Sequence, residues 1–102
     1  MVNTVAAPRL QVHVHGPVRT GLVRYARAKV AAALRYAPRP VLFVRLTVER
    51  STAHGVYRPY TIRVHADVNG HELYARASAA TLTEAADLVR HRLRTLLIRA
   101  GR

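Results

Sequence analysis

The spacing of apolar residues switches between two periods along the chain, and the switching sets the element order. From Leu10 to His15 apolar and polar residues alternate strictly, which reads as a strand with Leu10, Val12 and Val14 inward. Gly16-Pro17 ends it. From about Thr20 to Ala37 the repeat becomes helical. At about 100° per residue, Leu22, Ala26, Val30, Ala33, Leu34 and Ala37 share one face. Pro38-Arg39-Pro40 stops this helix, because a residue before proline avoids the helical region. Alternation then returns. Leu42, Val44, Leu46 and Val48 line one face of a strand over Val41 to Arg50, and Tyr60 to Val68 and Glu72 to Ala79 repeat the pattern. Ser51 to Pro59 is a polar loop, and Asn69-Gly70 is a two-residue hairpin turn, since both residues tolerate positive φ. The chain closes on a second helix, Thr81 to Arg102. Thr81 and Glu84 form a capping box, and Gly101 suits the left-handed position past a helix end. Leu82, Ala85, Ala86, Val89, Leu93, Leu96, Leu97 and Ala100 form its apolar stripe.

The expected fold is α+β, in the order β-α-β-β-β-α. The first crossover makes strands one and two parallel and is right-handed. The next three strands form an antiparallel meander, giving a four-stranded mixed sheet. Each strand has one apolar face, so both helices pack on the same side and the other face meets water. Ala75, Ala77 and Ala79 leave room for a helix to approach closely. At 102 residues the expectation is a single domain over 9–102 behind a short disordered lead, 1–8.

Charge narrows the function. The chain carries 17 basic and 5 acidic residues, a net charge of +12, and only one of the basic residues is lysine. A domain this basic repels itself, and an anionic partner relieves that. Nucleic acid is the first candidate and a membrane surface the second. The two helices hold Arg24, Arg27, Lys29, Arg35, Arg90, Arg92, Arg94 and Arg99 against only Glu84 and Asp87. A solvated face normally mixes signs. The planar fork of arginine donates two hydrogen bonds to one phosphate. These eight residues are therefore the candidate RNA contacts. Arg90 and Arg94 flank one side of the second helix's stripe and Arg92 and Arg99 the other, so one pair is expected to face the first helix.

Cysteine is absent, which removes disulfides, zinc-thiolate sites and thiol catalysis. No apolar run approaches the roughly 18 residues of a membrane span, and Met1 to Pro8 lacks the features of a signal peptide. A cytoplasmic location is expected. Five carboxylates and no glycine-rich phosphate loop give no convergent catalytic set, so neither an enzyme, a cofactor nor a small-molecule substrate is expected. His13 and His15 point the same way from one strand, but a metal site needs further ligands, so no metal is expected. Tyr25 and Tyr36 lie beside Lys29 and either stack on bases or pack at a helix margin. The open sheet face presents Gln11, His13, His15, Arg45, Thr47, Arg63, His65, Tyr74 and Arg76, and the loop 51–59 carries His54, Tyr57 and Arg58.

Particular residues also carry a resemblance. Val68-Asn69-Gly70, followed by Glu72-Leu73-Tyr74-Ala75-Arg76-Ala77-Ser78-Ala79, resembles the turn and fourth strand of the ribosome hibernation-promoting factor / ribosome-associated inhibitor family. Glu84-Ala85-Ala86-Asp87-Leu88 with Arg92-Leu93 resembles that family's second helix. The similarity runs from about Leu10 to Ala100. It departs in having arginine where the family has mostly lysine, and Thr83 or Ala85 where the family has an aromatic. The resemblance implies a double-stranded-RNA-binding-domain-like fold. It implies a non-enzymatic protein that lies in the small ribosomal subunit, contacts rRNA, covers the mRNA and tRNA sites and inhibits translation under stress. Longer family members carry a further dimerising domain, so a C-terminal extension is possible for the full protein. Two other readings stand beside it: a free double-stranded-RNA binder, and a protein-interaction module using the open face with Leu88 and Ile98.

Overall fold

The computed structural model describes residues 9–102; the expected lead, 1–8, lies outside the described residues. Strand β1 (Arg9–His15) leads into helix α1 (Thr20–Ala33), which tightens into a 3₁₀ turn over Leu34–Tyr36 before the prolines. Strands β2 (Val41–Arg50), β3 (Tyr60–Val68) and β4 (His71–Ala79) follow, and α2 (Leu82–Ala100) ends the order. The sheet runs β1-β2-β3-β4, with β1 parallel to β2 and the remaining pairs antiparallel. This is the expected α+β architecture.

The hairpin sets the register of the meander. Asn69 and Gly70 both take positive φ, 51° and 92°, so Val68 pairs with His71 across a two-residue turn. Asp67 accepts a 2.7 Å hydrogen bond from the Gly70 amide. Gly16, at φ 86°, makes the turn out of β1, where the backbone of Arg50 leaves no room for a Cβ. At the far end of β2, the Ser51 amide donates 2.8 Å to the Pro59 carbonyl and closes the loop 51–59.

One side of the sheet is the core. Val44, Leu46, Val48, Ile62, Val64, Ala66 and Val68 are buried beneath Ala26, Val30 and Ala33 of α1 and Leu82, Ala85, Ala86, Val89, Leu93 and Leu97 of α2. Ala75, Ala77 and Ala79 lie under α2 as expected, and their small side chains permit the close approach.

Some inward expectations fail. Leu42 is exposed, because Val41 pairs with Val68 while Phe43 pairs with Asp67, leaving Leu42 as the extra residue of a bulge. Val14 is exposed at the end of the marginal strand β1, and Ala100 at the last turn of α2. Gly101 is not left-handed. Its φ is −86°, and it is small for another reason: a Cβ there would come within 3.1 Å of the Pro38 Cβ.

Candidate nucleic-acid interface

The eight basic residues singled out from the sequence fall into three groups. Arg24, Arg27 and Arg35 lie on the outer arc of the first helical segment, exposed, with no ion pair among the described residues. That arc lies opposite the buried Ala26–Val30–Ala33 stripe, so helical spacing alone turns these guanidinium groups to solvent.

Lys29, Arg90 and Arg94 belong to the seam between the helices. Lys29 Nζ sits 3.4 Å from the Asp87 carboxylate and 5.1 Å from the centre of the Tyr25 ring. The Tyr25 hydroxyl donates 2.8 Å to the same Asp87 oxygen. Arg94 lies 4.6 Å over the Tyr36 ring, a cation–π contact that ties α2 to the end of the first helical segment. The Nε of Arg90 is buried without a hydrogen-bond partner among the described residues. The pair facing α1 is therefore Arg90 and Arg94. Asp87 is the seam's acid: the Tyr25 hydroxyl, then Lys29 and Arg90, hold its carboxyl below the ordinary range. The Tyr25 oxygen and Asp87 in turn hold the Lys29 ammonium above the ordinary lysine range, so it stays charged at neutral pH. Tyr25 and Tyr36 thus pack at the helix margin, but the Tyr25 hydroxyl is bonded to Asp87 where solvent was expected.

Arg92 and Arg99 form the third group, on the opposite flank of α2, over the free edge of β4. Arg92 Nη1 donates 2.6 Å to the Arg76 carbonyl and caps an outward-pointing group of that edge.

The open sheet face is built differently. Register sets Arg45 beside His65 and His65 beside Tyr74 in one cross-strand row, and Thr47, Arg63 and Arg76 in the next. His65 stacks on Tyr74 with ring centres 4.5 Å apart and planes at 4°, and Phe43 meets His65 edge-on at 6.1 Å. Arg45 covers Phe43 at 5.6 Å. The sequence places His65 and Tyr74 on this face with too few aromatics for an RNA-stacking platform, but does not show that they stack on each other, although the turn at Asn69-Gly70 is enough to pair them. The acids here are engaged: Glu49 accepts 3.0 Å from Arg63, Glu72 bonds His65 at 2.8 Å, and Asp67 serves the turn. His13 and His15 are exposed, and no cluster of three or more metal-ligating side chains occurs among the described residues.

Charge is thus segregated. Three of the five acids sit at the open face against Arg45, Arg63 and Arg76, whereas the helical layer sets eight cations against Glu84 and Asp87. That layer can take up an extended polyanion by direct guanidinium–phosphate hydrogen bonds. No helix of the described residues is long and apolar enough to cross a membrane.

No protein-family model matches the chain, and no curated protein matches it. Solved structures do. The crystal structure of the Protein Y N-terminal domain from Thermus thermophilus is similar with a TM-score of 0.69 at 17% identity, over 90% of this chain and 98% of that one. A ribosomal subunit interface protein from Coxiella burnetii gives the same TM-score at 14% identity, over 90% of this chain and 96% of that one. At such identities the likeness is one of fold, and it spans nearly the whole chain. The resemblance read from the hairpin and the last helix therefore holds at the level of the complete β-α-β-β-β-α architecture, which this chain shares with the Protein Y N-terminal domain.

Proposed function

We propose that residues 9–102 act as one ribosome-binding domain of the hibernation-factor kind, which seats its helical layer on small-subunit rRNA, covers the mRNA and tRNA sites and halts translation in stressed cells. The observation that carries this reading is the charge segregation: eight cations against two acids on the helical side, in a fold that a ribosomal subunit interface protein also has. Arg24, Arg27 and Arg35 reach phosphates from α1 and its 3₁₀ turn, Lys29, Arg90 and Arg94 from the seam, and Arg92 and Arg99 from the β4 flank. The domain acts by occupancy, without catalysis or cofactor, and works in the cytoplasm where ribosomes are. Shape rather than base sequence places it, because most contacts fall on the backbone.

Co-sedimentation with ribosomes and separated subunits on sucrose gradients tests this. The wild-type chain travels with the small subunit and the whole ribosome at low salt. About six phosphate contacts would cut its affinity roughly 1,000-fold between 50 and 200 mM salt. The triple variant Arg24→Glu/Arg27→Glu/Arg35→Glu stays at the top of the gradient. A wild-type chain that stays there at low salt, or a triple variant that sediments unchanged, sinks the proposal. Naked duplex RNA that strips the protein from ribosomes at equal phosphate concentration would instead favour a free duplex binder.

A further inference from the structure

The free edge of β4 carries features that ribosome docking through the helical layer leaves unused. The loop 51–59 ends beside this edge and holds Tyr57 with 93% of its surface in water, next to Arg58. A tyrosine so exposed contributes no packing to the fold. Tyr74, on β4 itself, is 65% exposed, with one ring face taken by the His65 stack. Two shallow depressions follow one another along the edge, and a third adjoins them on the open sheet face. The first, about 690 Å³, opens on the sheet face between Tyr57 and Arg58 of the loop and Glu49, Thr61, Arg76 and Ser78 of three strands. The second, about 340 Å³, lies between Tyr57, Arg58, Leu88 and Arg92. The third, about 300 Å³, lies between Tyr74, Arg76, Arg92 and Arg99. Shared walls make them one track.

The chemistry of the track is selective. Four guanidinium groups line it against two carboxylates, Glu49, which pairs with Arg63, and Glu84, which takes only the Thr81 hydroxyl. Cations in excess of acids suit phosphates. Exposed rings suit flat π-faces, and a duplex buries the faces of its bases. Together they describe a single strand whose backbone runs over arginines while its bases stack on tyrosines.

We infer that the β4 edge is a second RNA site, which holds an unpaired RNA segment with bases stacked on Tyr57 and Tyr74 and phosphates on Arg58, Arg76, Arg92 and Arg99. It deepens the ribosome-binding reading, since rRNA offers unpaired segments beside its helices, but it is separable from that reading. Arg92 and Arg99 belong to the helical surface as well; the tyrosines do not, and they carry the test.

Fluorescence anisotropy on the full chain compares a labelled, unstructured 12-nucleotide RNA with a 12-base-pair duplex. The variant Tyr57→Ala/Tyr74→Ala, which removes two stacks, weakens single-strand binding about 30-fold or more. Tyr57→Phe/Tyr74→Phe keeps its affinity within about threefold, because stacking needs the ring and not the hydroxyl. Duplex binding is the same for all three proteins. Equal single-strand affinity in wild type and the alanine variant overturns the site, as does an equal loss in the alanine and phenylalanine variants. An alanine variant that keeps single-strand RNA but loses a ribosomal protein assigns the edge to protein and overturns it too. These outcomes are read on free RNA, so they stand whether or not the wild-type chain sediments with ribosomes. Failure to sediment removes the ribosome reading alone.

Discussion

Asp87 shows how much one side chain decides in the helix seam. It accepts the Tyr25 hydroxyl, pairs with Lys29 and lies beside Arg90, and these neighbours hold its carboxyl below the ordinary range. As pH falls, the unfolded chain takes up this proton before the folded one does. The contribution to stability is therefore complete above an ordinary carboxylate pKa of about 3.9 and is lost as pH falls through the lower folded value. Asp87→Asn should flatten the fall of melting temperature with pH on the acid side, measured by circular dichroism from pH 5 to pH 2. The same change frees Lys29 and raises the net charge of the seam, so at neutral pH it should tighten RNA binding. Gly16 is a second deciding residue. Its φ of 86° and the Arg50 backbone beside it both exclude a side chain. Gly16→Ala should cost more than about 1 kcal/mol in denaturant unfolding.

At the scale of elements, α2 was legible because its signals agree. Thr81 accepts 3.2 Å from the Glu84 amide, as the capping box requires, but its hydroxyl also donates 3.0 Å to the Glu84 carboxylate, a reciprocal bond of a different kind from the expected one. Thr81→Ala should remove about 1 kcal/mol and lower the melting temperature by roughly 4–8 °C. The strands were legible too, since alternation and the Asn69-Gly70 turn together fix which face each residue takes. What the sequence concealed depends on other elements. The bulge at Leu42 leaves the local pattern intact, and only the pairing of Val41 and Phe43 with β3 reveals it. Gly101 had the right residue for a left-handed cap, yet its smallness serves contact with Pro38, sixty-odd positions away. The basic residues were legible as a set but not in their grouping, because that depends on which flank of α2 meets α1. The β4-edge track was hidden more deeply. It joins a loop, a strand and a helix that no local period links.

The whole molecule is a layered body with about half of its net charge in one layer. Such a layer stores repulsion, so the domain should be less stable alone than its core permits. Raising salt from about 20 to 200 mM screens that repulsion and should raise the melting temperature of the free protein while weakening its grip on RNA. Opposite responses to one variable would separate charge kept for binding from charge kept for folding. The parallel pairing of β1 with β2 has a different reach. From Val41 to Ala79 every strand pairs with a sequence neighbour, so the meander can assemble through short loops, and α2 packs back on β4 and β3 before it meets α1. Strand β1 must instead find β2 across the whole of α1, closing a loop that runs from Arg9 to Phe43. The entropy of that closure comes due before its hydrogen bonds form. A nascent chain leaving the ribosome presents β1 first and its partner much later, so the first strand to emerge waits longest for its place in the sheet.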